Sequence, residues 1–294
     1  MTWQRVAPAV LGGLLLLGAA AGDPRSVPPE QPSAEAGIFS KSKLVAWCIV
    51  PFDKLSRGPR ERAEMLVRLG LTRCAYDWRK QHVPTFEQEI LEYKKHGIEF
   101  FAFWNWHPSM EALVRKHGIR PQIWRTLPSS RAGTQAERVK AAAQAMLPLV
   151  ETASRLGLKL GLYNHGGWGG EPNNLVAVCR HLREQHGADH VGIVYNFHHG
   201  HGHISDFEAT FRLLKPYLLC VNLNGMNDGA KPKILGIGRG KHERTMIDAI
   251  RRSGYAGPVG ILGHQAHRDV EKCLAENIEG LDKVVRELSQ RNPD

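Results

Sequence analysis

The sequence predicts a single domain of the α/β class, a closed (β/α)8 barrel, on three observations. Apolar runs rich in Val, Ile, Leu and aromatic residues recur eight times between positions 44 and 265. Each is followed by a stretch with apolar residues at helical spacing, in one unbroken alternation. The runs are apolar nearly throughout, as strands covered on both faces must be. Eight units favour closure over an open doubly wound sheet. No Gly-x-Gly-x-x-Gly follows the first strand, which argues against a dinucleotide-binding fold.

The elements follow in order. Strand one is LVAWCIV (44–50), and the first helix, from Arg60, carries Ala63, Leu66, Val67 and Leu69. Strand two is LTRCAYDW (71–78), with a helix opened by Pro84 and closed at Gly97. Strand three, IEFFAFWNW (98–106), precedes a helix from Ser109 to Lys116. Strand four, QIWRTLP (122–128), leads to a long helix capped by Thr134, with Pro148 expected to bend it before Gly157 ends it. Strand five, KLGLYNHGG (159–167), precedes a helix from Pro172 to His186, and strand six, VGIVYNFHH (191–199), one from about Ser205 to Lys215. Strand seven, LLCVNLNGM (218–226), is followed by a loop to Gly240 and a helix to Arg252. Strand eight, GPVGILGHQ (257–265), meets a last helix capped by Asp269. The Gly236–Gly240 loop lies after the wrong strand for a dinucleotide and lacks the Lys-Ser/Thr of a P-loop.

At 294 residues, 42% hydrophobic and 23% charged, the chain is ordinary globular material. Its net charge of +10 favours anionic partners in general. The basic residues are dispersed, so no nucleic-acid footprint is expected. Positions 1–22 have a short positive start, a run of Leu and Ala from Val6 to Leu17, and a small-residue cleavage site at Ala19–Gly22. They read as a signal peptide for export to the periplasm or the outside, with an uncleaved anchor as the alternative. Positions 23–42 read as a disordered leader and 43–290 as the barrel. Cys48, Cys74, Cys179, Cys220 and Cys273 lie in apolar runs without metal-ligand spacing, and read as buried free thiols.

A barrel presents its site at the C-terminal strand ends. Those ends carry Asp77, Trp104, Asn105, Trp106, Arg125, Asn164, His165, Trp168, Asn196, His198, His199, His201, Asn222, Asn224, His264 and Gln265. Aromatic platforms with amide and imidazole groups suit a polyhydroxylated ligand, because rings stack on sugar faces and amides match hydroxyls. Other readings stay open. The asparagines serve equally as caps and turns, and His198 to His203 as a solvated loop. Asp77 serves as a catalytic base or as a partner of Arg79. Arg125 takes an anionic group on the ligand or acts as a structural counter-ion.

LGIGRGKHERTMIDAIRRSGYAGPVGIL (235–262), NHGG (164–167) and YNFHHGH (195–201) resemble the xylose isomerase-like barrel superfamily over residues 43–288. That group includes sugar phosphate isomerases and epimerases, hydroxypyruvate isomerases, tagatose 3-epimerase-type enzymes and type IV AP endonucleases. The resemblance implies a barrel acting on a small carbohydrate, by proton transfer next to a carbonyl. It also implies a divalent cation held by Glu, Asp, His and Glu on strands five to eight. Those places fall here on Tyr163, Asn196, Asn222 and Leu262, so the carboxylates are replaced, while His165 and His199 remain. No cofactor is therefore expected, the alternative being Zn, Ni or Mn on His165, His199 and His201. His199 and His165 are the candidate bases, with Asp77 beside them. Trp104, Asn105, Trp106, Arg125, Asn164, Trp168, Asn196, His198, Asn222, Asn224 and Gln265 are the candidate ligand contacts. A sugar-binding barrel without turnover is the rival, and a nucleic-acid enzyme of the AP endonuclease kind a more distant one.

Overall fold

The eight apolar runs form strands that pair in sequence order and close, with β1 (Leu44–Trp47) hydrogen-bonded to both β2 (Arg73–Tyr76) and β8 (Val259–Leu262). Between them lie β3 (Glu99–Trp104), β4 (Gln122–Thr126), β5 (Leu160–Tyr163), β6 (Val191–Asn196) and β7 (Leu218–Leu223), all parallel. The helices are α1 (Pro59–Arg68), α2 (Phe86–Lys95), α3 (Ser109–His117), α4 (Gln135–Leu156), α5 (Pro172–His186), α6 (Phe207–Leu214), α7 (Glu243–Arg252) and α8 (Val270–Arg291). This structure, a computed structural model, describes Met1, residues 34–128 and residues 133–291. The expected signal peptide and most of the leader lie outside the described residues. Phe39 is 4% exposed and packs on the outer core, so the packed chain begins inside the stretch read as leader.

Local chemistry sets the helix ends. At α4 the Thr134 N–H donates to Glu137 Oε2 at 2.8 Å and the Glu137 N–H to Thr134 Oγ1 at 3.3 Å, a reciprocal cap. α4 continues as one helix through Pro148. The Gly-rich loop before α7 is a clasp. Glu243, 1% exposed, accepts the N–H groups of Gly240 and Met226 at 2.7 and 2.9 Å. Asn277 ties Ile237 N–H to the carbonyl of Leu262, each at 2.9 Å.

The barrel lumen is filled, not open. Trp47, Trp104, Trp124 and Tyr163 point inward from β1, β3, β4 and β5, with Trp47–Trp124 and Trp104–Tyr163 ring centres each 4.8 Å apart. Glycines on neighbouring strands leave the room. A Cβ on Gly161 would lie 2.6 Å from Val194 and 3.1 Å from Trp124, and one on Gly260 only 1.9 Å from Asn222 Oδ1. Outside the strands an apolar layer packs under the helices, crossed by a buried Arg62–Glu89 pair at 2.9 Å between α1 and α2. All five cysteines are free and buried. No described helix is long and apolar enough to cross a membrane.

Candidate functional site

The ends of β5 and β6 are joined by an amide. Asn164 Nδ2 donates to the carbonyl of Asn196 at 3.1 Å, and its Oδ1 accepts the Asn196 N–H at 2.7 Å. The side chain thereby adds a rung beyond the last backbone pair and fixes where His165 leaves the sheet. Asn196 repeats the device: its Oδ1 accepts the His198 N–H at 3.2 Å, starting the turn Phe197–His199. Its Nδ2 donates to Tyr163 Oη, which also accepts from Trp47 Nε1 at 3.0 Å. Gly200 is required beside this turn, because a Cβ there would meet Tyr195 Oη at 2.2 Å.

Four imidazoles gather above the aromatic plug. Ring centres are 4.4 Å apart for His165 and His199, 3.7 Å for His198 and His199, and 5.3 Å for His198 and His264. The His165 ring lies 6.1 Å from Trp104 and the His199 ring 5.9 Å from Tyr163. Phe52, from the loop after β1, sits 3.7 Å from His264. Burial, then repulsion from the other imidazoles and from Lys233, keeps these rings neutral. His199 is pushed down to about 3, and burial followed by the charges of Arg79 and Lys233 takes His264 to about 4. His198 is held well below the usual histidine range, and His165 and His201 are lowered, burial being the first cause in each. The Nδ1 atoms of His198 and His264 are buried without a partner.

Other candidates are turned elsewhere. His201 Nδ1 faces the carbonyl of His198 at 3.1 Å, and His203 is drawn to Glu171 at 3.0 Å. Asp77 Oδ1 accepts the N–H groups of Ile49 and Val50 at 3.2 and 3.1 Å, so it shapes the loop after β1. Burial raises its carboxyl to about 7 against those donors. Asn224 holds the loop after β7, donating to the carbonyl of Lys233 at 3.0 Å and accepting the Leu235 N–H at 3.3 Å. Trp168 donates to Gln135 at 3.0 Å and stacks under Arg138 at 4.9 Å. Gln265 accepts from Arg268 at 3.3 Å. Asn105, Trp106 and Arg125 line a separate cavity beside α4. Asn222 faces inward, wholly buried, with Nδ2 lacking an acceptor. His264 and Lys233 join the cluster without having been assigned a role in it. The first was visible as a strand-end residue, but the second lies in a loop without any motif.

The residues at the four expected cation positions do not fit a hard dication. Tyr163 Oη and Asn196 Oδ1 are already engaged, Leu262 has no donor atom, and none of the four bears charge. The alternative trio of His165, His199 and His201 is not assembled either. Among the described residues no three His, Cys, Asp or Glu side chains are arranged to hold an ion.

A family model described as xylose isomerase-like TIM barrel matches residues 92–287. The chain belongs to that family. Among solved structures, this xylose isomerase-like barrel is similar to an L-ribulose 3-epimerase (TM-score 0.65, 13% identity, 85% of this chain and 96% of that one). It is also similar to a 3-keto-D-glucoside 4-epimerase from E. coli (0.58, 14%, 83% and 99%). A third is the IOLI protein with a binding zinc atom (0.61, 13%, 85% and 100%). At these identities the likeness is one of fold. Among curated proteins, none matches the chain in sequence.

Proposed function

We propose that this barrel is an exported isomerase of small sugars, moving a proton next to a carbonyl without a metal ion. The observation that carries the reading is the neutral pair His165 and His199, with ring centres 4.4 Å apart above Trp104 and Tyr163. A neutral imidazole accepts the proton from the carbon beside the carbonyl, and the electron pair becomes the enediolate. The same imidazolium returns the proton to the adjacent carbon, while His165 takes the hydroxyl proton from that carbon's oxygen and delivers it to the enediolate oxygen, so that the carbonyl and the hydroxyl exchange places. The Lys233 ammonium, close enough to disfavour protonation of every ring in the cluster, offsets the developing negative charge.

The spacing bears on stereochemistry. Two bases flanking one carbon need nitrogens roughly 6 Å apart, two contacts of about 3 Å. We take the two rings, centred 4.4 Å apart, to act from one face, which corresponds to a 1,2-shift between aldose and ketose and not to two-base inversion. His199→Ala in heavy water, with keto sugars as substrates, tests this: loss of deuterium incorporation by about 100-fold or more is expected of a lost general base. Retained exchange refutes the assignment. Deuterium that enters only with inversion at one carbon refutes the one-face mechanism.

A second reading, sugar binding without turnover, is favoured by the low basicity of His199, at about 3. Calorimetric binding of a sugar with no exchange in any buffer establishes it. Nucleic-acid repair fits poorly, because the positions for metal-holding carboxylates carry neutral groups. Export is supported by the character of residues 1–22, and N-terminal sequencing of protein secreted by intact cells tests it, with a start near Gly22 expected.

A further inference from the structure

A cavity of about 720 Å3 lies on the outer side of β3 and β4 under α4. Strand alternation separates it from the imidazole cluster. Trp104 and Trp124 turn into the lumen, which sends Arg125 to the outer face, level with Leu162 of β5. The chain after Trp104 turns at Asn105, whose φ of +58° is one that Asn tolerates, while its N–H donates to the carbonyl of Trp124 at 2.7 Å. α4 contributes Ala145 and Pro148 opposite, which fill little of the space.

The lining is chemically specific. Arg125 makes no ion pair with any described residue and is exposed to the cavity. Asn105 Oδ1 is shut off from the cavity, and the hydroxyl residues Thr126 and Thr152 stand with Arg125 on its lining. Trp106 and Met146 supply apolar surface beside them. Together these residues present a cation, two hydroxyls and an aromatic wall in a space of small-molecule size.

We propose that this cavity binds a polyhydroxylated anion, an aldonate or a sugar phosphate. Its charged group sits on the Arg125 guanidinium, which holds two oxygens at once. Its hydroxyls pair with Thr126 and Thr152, and the carbon chain or ring lies against Trp106. The site is independent of the chemistry proposed for the barrel mouth.

Calorimetry on the full chain with gluconate, glucose 6-phosphate, glucose and inorganic phosphate tests this. One of the two sugar anions should bind at least about tenfold tighter than glucose or phosphate alone, the loss expected when either half of the recognition is missing. Tighter gluconate identifies a carboxylate ligand, and tighter glucose 6-phosphate a phosphate. Arg125→Gln should weaken that binding tenfold or more, Ala145→Phe should block it by filling the space, and His199→Ala should leave it unchanged. Absence of binding by both sugar anions overturns the proposal. So does binding that survives Arg125→Gln and Ala145→Phe, or that disappears with His199→Ala.

Discussion

Asn164 does with one side chain what another residue pair of the sheet would otherwise do, bonding both the N–H and the carbonyl of Asn196. Asn164→Ala removes both bonds and strands a buried donor and acceptor, at a cost of about 2–4 kcal/mol. Urea denaturation measures that loss. If Asn164 instead faced a ligand, stability would hardly change and only affinity would fall. The same residue shows where reading the sequence stops. Asn164, Asn196, Asn222 and Asn224 occupy equivalent strand ends, and residue type does not separate a ligand contact from a turn-maker. Three of them spend their amides on backbone partners, and only Asn222 keeps an unused donor. His165 and His199 were legible as a pair because both flank recognisable motifs.

At the scale of elements, strand order and helix positions were visible because each unit repeats an apolar run and an amphipathic stretch. Which residue of a strand faces inward was not visible. A strand buried on both faces loses its period of two, so Trp124 and Arg125 look interchangeable until neighbours fix the parity. That is why Arg125, Asn105 and Trp106 join the mouth on paper and line the outer cavity in the fold. The lumen tests the parity directly. Gly260→Ala puts a Cβ within 1.9 Å of Asn222 Oδ1. We expect a loss of about 1–3 kcal/mol from overpacking, read as a lowered thermal midpoint. A midpoint unchanged in Gly260→Ala would mean that β8 presents its other face to the lumen.

For the whole molecule, the closed order of eight strands follows from the repeat count, whereas the electrostatics follows only from folding. The unfolded chain binds protons on its histidines near the ordinary value of 6.5, but folded His199 and His264 take them only near 3 and 4. Their contribution is therefore complete above about pH 6.5 and declines as pH falls toward 4, since the unfolded state then binds more protons. Asp77, raised to about 7 from 3.8, acts oppositely, stabilising below 3.8 and losing that contribution as pH rises through 7. Several depressed imidazoles outweigh one raised carboxyl, so the thermal midpoint should drop between pH 7 and 5. His199→Gln should flatten that drop, and an equal slope in the variant would show that the cluster is solvated and titrates normally. The packed lumen has an optical consequence as well. Three of the seven tryptophans of the chain, Trp47, Trp104 and Trp124, pack in one tilted and edge-on cluster, and Trp104 lies 6.1 Å from an imidazole. Any molecule that settles on those rings changes the surroundings of Trp104 first, so the barrel carries its own fluorophore, and occupancy of the mouth is readable from unlabelled protein by its emission.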